Sequence, residues 1–195
     1  MATIIYLHGF ASVGASPKSD ALIARFGIDH VFAPDLPIDP DQTIAIVIDI
    51  VRNATSFPIV FVGTSLGGFW AHYFSQTVKA PCVLVNPSMN PAATMASRVG
   101  EVFKNYKTDE EIIITPEHVA AFERYRVAAL ALSNGALINL FLAEDDDVID
   151  YRDTCDRIPS YRSRTITKDG GHRYAAHWEQ VVDKVQELAK LNSPQ

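Results

Sequence analysis

Residues 63–68, Gly63-Thr64-Ser65-Leu66-Gly67-Gly68, set a serine between two glycines at the spacing G-x-S-x-G. A serine hydroxyl is a poor nucleophile until a neighbouring imidazole takes its proton and a carboxylate fixes that imidazole's tautomer. The G-x-S-x-G spacing belongs to a strand-to-helix turn so tight that side chains at Gly63 and Gly67 would collide, which lifts the hydroxyl to the start of a helix. Free amides and the helix dipole there favour a developing negative charge. The context fits: an apolar run with Pro58 at its start covers residues 59–63, and a helix-like stretch covers 66–77. A nucleotide-binding turn is the competing reading, but no G-x-G-x-x-G and no P-loop lysine stand near it.

A serine of this kind needs a base, an acid and two amide donors. In strand–turn–helix hydrolases the chain order is Ser, acid, His. Of the six histidines, only His172 and His177 lie beyond the last candidate strand. His172 follows Gly170-Gly171 in a loop, whereas His177 falls within a predicted helix, so His172 is the candidate base. The acid should follow the apolar run 137–143, where Glu144-Asp145-Asp146-Asp147 offers four carboxylates. Asp146 is the candidate, with Asp145 and Asp147 as neighbouring alternatives and Asp169, on the base's own loop, as a more distant one. The amide of Leu66, next after the nucleophile, is one expected oxyanion donor. Phe10, in the His8-Gly9-Phe10 turn after the first apolar run, supplies the other. His8 itself reads as structural.

These groups require a scaffold that brings several strand ends together. Strand-like runs cover residues 3–8, 30–33, 59–63, 82–86, 137–143 and 164–167. Helix-like stretches cover 18–26, 43–52, 66–77 and 174–191, the last with Trp178, Val181, Val182, Val185 and Leu188 at helical spacing. The 43–52 stretch is rich in Ile and Val, residues that also suit strands. Short, nearly all-apolar strands alternating with helices predict a mostly parallel sheet covered on both faces, with function beyond the carboxyl ends of the strands. Residues 88–135 break this rhythm. They offer one brief strand at 112–114 and a helix announced by Thr115-Pro116, with Val119, Phe122 and Ala129 on one face. The segment reads either as a cap-like insertion over the site or as ordinary covering helices. Its aromatics, Phe103, Tyr106, Phe122 and Tyr125, either line an acyl pocket or pack into the core.

The 195 residues suit one domain, and 48% hydrophobic with 21% charged residues is globular composition. A net charge of −6 disfavours nucleic-acid binding. No run reaches the roughly 18 apolar residues of a membrane span. No export signal is evident at the first residues, so a cytoplasmic location is the default expectation. Cys82 and Cys155 form neither a disulfide framework nor a zinc pattern, and Cys82 reads as a small buried hydrophobe. The chemistry requires no metal or organic cofactor, and its expected partner is a small acyl ester or thioester. Oligomeric state is not encoded in any motif.

Four stretches together resemble the small bacterial YqiA-type esterases: Ile4-Ile5-Tyr6-Leu7-His8-Gly9-Phe10, Gly63 to Ala71, Val85-Asn86-Pro87-Ser88, and Asp147-Val148-Ile149-Asp150-Tyr151. The resemblance implies a compact α/β-hydrolase fold with a small cap or none, of bacterial origin, acting on acyl esters and acyl-thioesters. It also implies a triad of Ser65, Asp146 and His172. One departure stands out: where that family usually has a glycine before the acid, this chain has Asp145. Two other functional readings share the fold, a binding or signalling module with incidental hydrolysis and a hydrolase of peptide or carbon–carbon bonds.

Overall fold

The computed structural model describes residues 2–191. The expected domain, 1–195, therefore extends outside the described residues at Met1 and at 192–195. In chain order the elements are β1 (Thr3–Leu7), α1 (Pro17–Phe26), β2 (Val31–Phe32), α2 (Pro40–Asn53), β3 (Ile59–Thr64), α3 (Leu66–Val78), β4 (Cys82–Val85) and α4 (Pro91–Ala96). They continue with β5 (Val102–Lys104), β6 (Glu111–Ile113), α5 (Pro116–Ala131), β7 (Ile138–Ala143), α6 (Tyr151–Arg157), β8 (Ser163–Thr167) and α7 (Trp178–Leu191).

Six strands form one sheet in the order β2-β1-β3-β4-β7-β8, with every pairing parallel. Side chains alternate across it as a strand's two-residue period requires. Ile5, Leu7, Phe61 and Leu84 pack on one face with Phe69, Trp70 and Phe74 of α3 and Phe122 of α5. Ile4, Tyr6, Val60, Val62 and Val83 pack on the other with Leu22 of α1 and Val181, Val185 and Leu188 of α7. Both faces are thus covered, which is why the strands carry so few polar residues. Asn139 is an exception inside β7, and it is satisfied: its amide donates to the Cys82 carbonyl (3.0 Å) and its oxygen accepts from Ser163 Oγ (2.8 Å), stitching three strands together. Cys82 is fully buried, and burial pushes its thiol up to about 12.

The chain runs from β1 to β2 on one side and then to β3 on the other, so the order reverses between β1 and β3. Ligand sites in open α/β sheets gather at such a switch point. The register Leu7↔Gly63 sets the His8–Phe10 turn beside the Ser65 turn.

Several boundaries differ from the sequence reading, each for a local reason. Helix α2 begins three residues earlier than expected, because Asp39 caps it, accepting from the amides of Asp41 and Gln42, and Pro40 occupies its first turn. Its Ile44, Val47, Ile48 and Val51 pack on the core, and tertiary burial overrides their strand preference. Helix α7 begins at Trp178 rather than 174, because Tyr174 has left-handed backbone (φ 52°) and a 3₁₀ turn covers Ala175–His177. The 112–114 strand pairs as β6 with β5 in a separate antiparallel hairpin. Helix α6 and short α4 were not expected.

Candidate active site

Ser65 sits at the N-cap of α3 with φ 54° and ψ −122°, a strained left-handed backbone for a residue with a side chain. The neighbours enforce it. A Cβ on Gly67 would lie 2.0 Å from the Leu7 carbonyl oxygen, and one on Gly63 would lie 2.1 Å from that of Gly67. The amide of Ser65 donates to Val85 O (3.1 Å), and its carbonyl accepts from Gly68 N (2.9 Å) and Ser88 N (3.0 Å). The turn is locked on three sides, and the side chain remains partly exposed.

On the loops after β7 and β8, His172 Nδ1 lies 2.9 and 3.0 Å from the two carboxylate oxygens of Asp146. Asp146 Oδ1 also accepts from the amides of Val148 (2.8 Å) and Ile149 (2.9 Å). Burial acts to raise this carboxyl's pKa, but the His172 contact and the two amides outweigh it and hold it below the usual carboxylate value. An ionised carboxylate accepts only, so Nδ1 of His172 carries a proton, and in the neutral ring the lone pair is on Nε2.

The other acids take other duties. Asp169 pairs with His177 (2.9 Å) at the surface. Asp145 accepts from the amide of Gly171 (2.8 Å), pinning the loop that carries His172. The residue that departs from the family's glycine therefore orders the His172 loop here.

Asn86, one residue past β4 and buried, joins the strand ends. Its side-chain amide donates to the carbonyls of Gly171 (3.0 Å) and His172 (3.3 Å), its side-chain oxygen accepts from Ala143 N (2.9 Å), and its own amide donates to Phe141 O (3.0 Å). Because Val85 holds the Ser65 amide, the end of β4 and the residue after it tie the Ser65 and His172 loops together. Among the described residues no hydrogen bond yet joins the Ser65 hydroxyl to His172; such contacts tighten in substrate complexes. Asn86 lies in the Val85–Ser88 stretch that resembles the YqiA-type esterases, and the sequence assigns it no role. A buried Asn just past an apolar strand was the available signal, since buried amides are kept only when fully paired.

His8 is structural, as expected, in an informative way. Its Nε2 accepts from Leu36 N (2.8 Å), so the ring proton must sit on Nδ1, which donates to Gly9 O (2.8 Å). Burial holds this imidazole below its ordinary pKa despite the Gly9 contact. The Gly9–Phe10 peptide is planar, so anchoring its carbonyl also aims the Phe10 N–H the opposite way. A Cβ on Gly9 would lie 3.8 Å from Ser65 Oγ, which sets this turn directly against the hydroxyl. Leu66, first in α3, has no intrahelical partner for its amide. Among the described residues, the amides of Phe10 and Leu66 have no hydrogen-bond acceptor.

Both residues line a cavity of about 140 Å³ with Leu36, Ile38, Trp70 and Ile112. The β5–β6 hairpin closes over it, with Glu110 and Glu111 at its rim. Asn105 Nδ2 donates to Ser12 O (2.9 Å), Tyr106 N donates to Ala11 O (2.9 Å), and Phe103 packs edge-on to Phe10. Of the aromatics flagged in the sequence, Phe122 is core, Tyr125 packs on Trp70 and Tyr73, and Tyr106 is exposed.

The parallel sheet, its switch point and the helices on both faces define an α/β-hydrolase fold. Two solved structures share it: Est1E from Butyrivibrio proteoclasticus (TM-score 0.70, 14% identical, covering 95% of this chain and 86% of that one), and mouse alpha/beta hydrolase domain-containing protein 10 (TM-score 0.70, 15% identical, 95% and 88%). Within that fold the chain belongs to the uncharacterised protein family UPF0227, which matches residues 3–190, and this bears out the YqiA-type resemblance. A UPF0227 protein of Vibrio atlanticus (strain LGP32) is 23% identical over 177 residues, covering 88% of this chain and 90% of that one. Among the described residues no helix is long and apolar enough to cross a membrane, and no three His, Cys, Asp or Glu side chains group as metal ligands.

Proposed function

We propose that this protein is a serine hydrolase that cleaves carboxylic esters and acyl-thioesters through Ser65, His172 and Asp146. The observation that carries the proposal is the strained Ser65 elbow, set at strand ends shared with an Asp146–His172 couple whose tautomer is fixed. That the fold's neighbours include an esterase of Mycobacterium tuberculosis and a hydrolase-domain protein of mouse supports the same reading.

In the proposed reaction His172 Nε2 takes the Ser65 proton as Oγ attacks the acyl carbonyl. The resulting oxyanion is held by the Phe10 and Leu66 amides, preorganised donors of the kind that supplies much of such catalysis. His172 then protonates the departing alcohol or thiol, leaving an acyl-enzyme. Water, deprotonated by the same nitrogen, attacks it, the acid leaves and Ser65 recovers its proton. Asp146 stabilises the imidazolium in both halves. The steps need no metal or organic cofactor.

The cavity beside the amides is close to the roughly 150 Å³ that takes one benzene ring, which favours short aliphatic or small aromatic acyl groups. The acidic rim favours uncharged leaving groups over phosphorylated thiols. The β5–β6 hairpin serves as the small cap that the 88–135 segment suggested, while α5 packs on α3 as a covering helix.

A fluorophosphonate probe should label the wild type and not Ser65→Ala, and that variant should lose p-nitrophenyl acetate turnover. Full labelling of the alanine variant would refute the assignment.

A further inference from the structure

Behind the nucleophile helix lies a second cavity of about 100 Å³, lined by Phe69 and His72 of α3, Met89, Arg126 and Leu130 of α5, and Arg157 of α6. His72 stands seven residues after Ser65, about 10 Å along the helix at roughly 1.5 Å per residue, too far to serve the hydroxyl. Its side chain is buried (2% exposed), and among the described residues neither ring nitrogen has a hydrogen-bond partner. The ring nitrogens are not among the sealed polar atoms of the chain, so they open onto the cavity that His72 lines. Burial alone pushes this imidazole down to about 4, so at neutral pH it offers one N–H and one lone pair to the cavity.

The other polar groups on the cavity wall are donors. Arg126 engages Glu123 through Nε and Nη2, and Arg157 engages Asp153 through Nε alone. That leaves Nη1 of Arg126 and both terminal nitrogens of Arg157 without an acceptor among the described residues. No carboxylate lines the wall, and the remainder is apolar. Donors of this kind match a planar anion, which guanidinium groups bind with paired hydrogen bonds. A cavity smaller than the roughly 150 Å³ that takes benzene limits the rest of the ligand to a short chain.

We propose that this cavity is a second binding site, separate from the triad, for a short-chain aliphatic carboxylate. The His72 N–H, Nη1 of Arg126 and the terminal nitrogens of Arg157 take the carboxylate, and Phe69, Met89 and Leu130 surround the chain.

Sodium butyrate titrated into the full chain, with histidine ring carbons and nitrogens labelled for NMR, tests this. The His72 signal, assigned by its loss in His72→Phe, should shift saturably with a Kd on the order of millimolar. An Arg126→Gln/Arg157→Gln variant should bind about tenfold more weakly or worse, and n-butanol, the same chain without the charge, should bind the wild type at least about tenfold more weakly. Shifts confined to His172, no saturable shift at His72, equal affinity in the double variant, or butanol matching butyrate would each overturn the site. If the double variant failed to fold, the butanol comparison on wild type would still decide.

Discussion

At the carboxyl edge of the sheet, His8 has both ring nitrogens engaged and His172 has Nδ1 held by a carboxylate, whereas His72, seven residues along α3 from Ser65, is equally enclosed and has no hydrogen-bond partner among the described residues. The two regions share a helix and a core, so the difference lies in what each ring meets. Where a neighbour fixes one nitrogen, the other acquires a single role: an acceptor for the Leu36 amide at His8, the proposed base at His172. Where nothing does, burial acts alone and the ring is forced neutral.

Removing a partner from the paired region should have the largest effect. Asp146→Asn is expected to lower kcat about 10⁴-fold, because an amide can donate to Nδ1 and favour the wrong tautomer; a p-nitrophenyl ester assay measures it. The same variant should change the response to acid. The folded carboxyl lies below its ordinary value, so its contribution is present at neutral pH and lost as pH falls through the folded value. Wild type and variant should therefore converge in urea midpoint on acidification.

Asn86→Ala comes next. It strands the Ala143 amide and frees the carbonyls of Gly171 and His172, so a stability loss of about 2 kcal/mol and a fall in kcat of about 10²-fold are expected, read by urea denaturation and turnover. His8→Phe should cost less stability but loosen the Gly9–Phe10 peptide, lowering kcat about 10²-fold, the scale of one oxyanion donor, with little change in KM. A KM effect alone would assign His8 to substrate binding instead.

The paired region was also the legible one. The glycines at 63 and 67 are demanded by backbone approach, and the candidate order Ser65, Asp146, His172 follows from the chain order that goes with a G-x-S-x-G turn. Both are short-range or topological facts that residue types announce. The duties of Asp145 and Asn86 were not legible, because each depends on a loop more than 20 residues away meeting it in space. Region 88–135 resisted for a different reason. Its hairpin strands are three residues long and alternate burial weakly, so no periodicity identifies β5, and α4 is a single capped turn and a half. His72 was invisible as well: within an almost wholly buried helix, one histidine gives no sign that its ring lacks a partner.

The unpartnered ring yields the prediction with the smallest effect at neutral pH. His72 has its pKa lowered from 6.5 to about 4 in the folded chain. Between those values the unfolded chain binds a proton that the folded chain does not, so stability must fall as pH drops through this window and level off below it. The drop attributable to this one group is about 3 kcal/mol at full extent. The charges on the same cavity wall, Arg126 and Arg157, are each paired with a carboxylate, Glu123 and Asp153, and burial is the one cause of the shift. His72→Phe, close in size and unable to titrate, should match the wild type at pH 7.5 within about 1.5 kcal/mol and lose distinctly less stability by pH 4, measured as urea midpoints across the range. Parallel curves for the two proteins would mean that the ring finds a proton acceptor or water in solution, and the contrast between the two ends of α3 would dissolve.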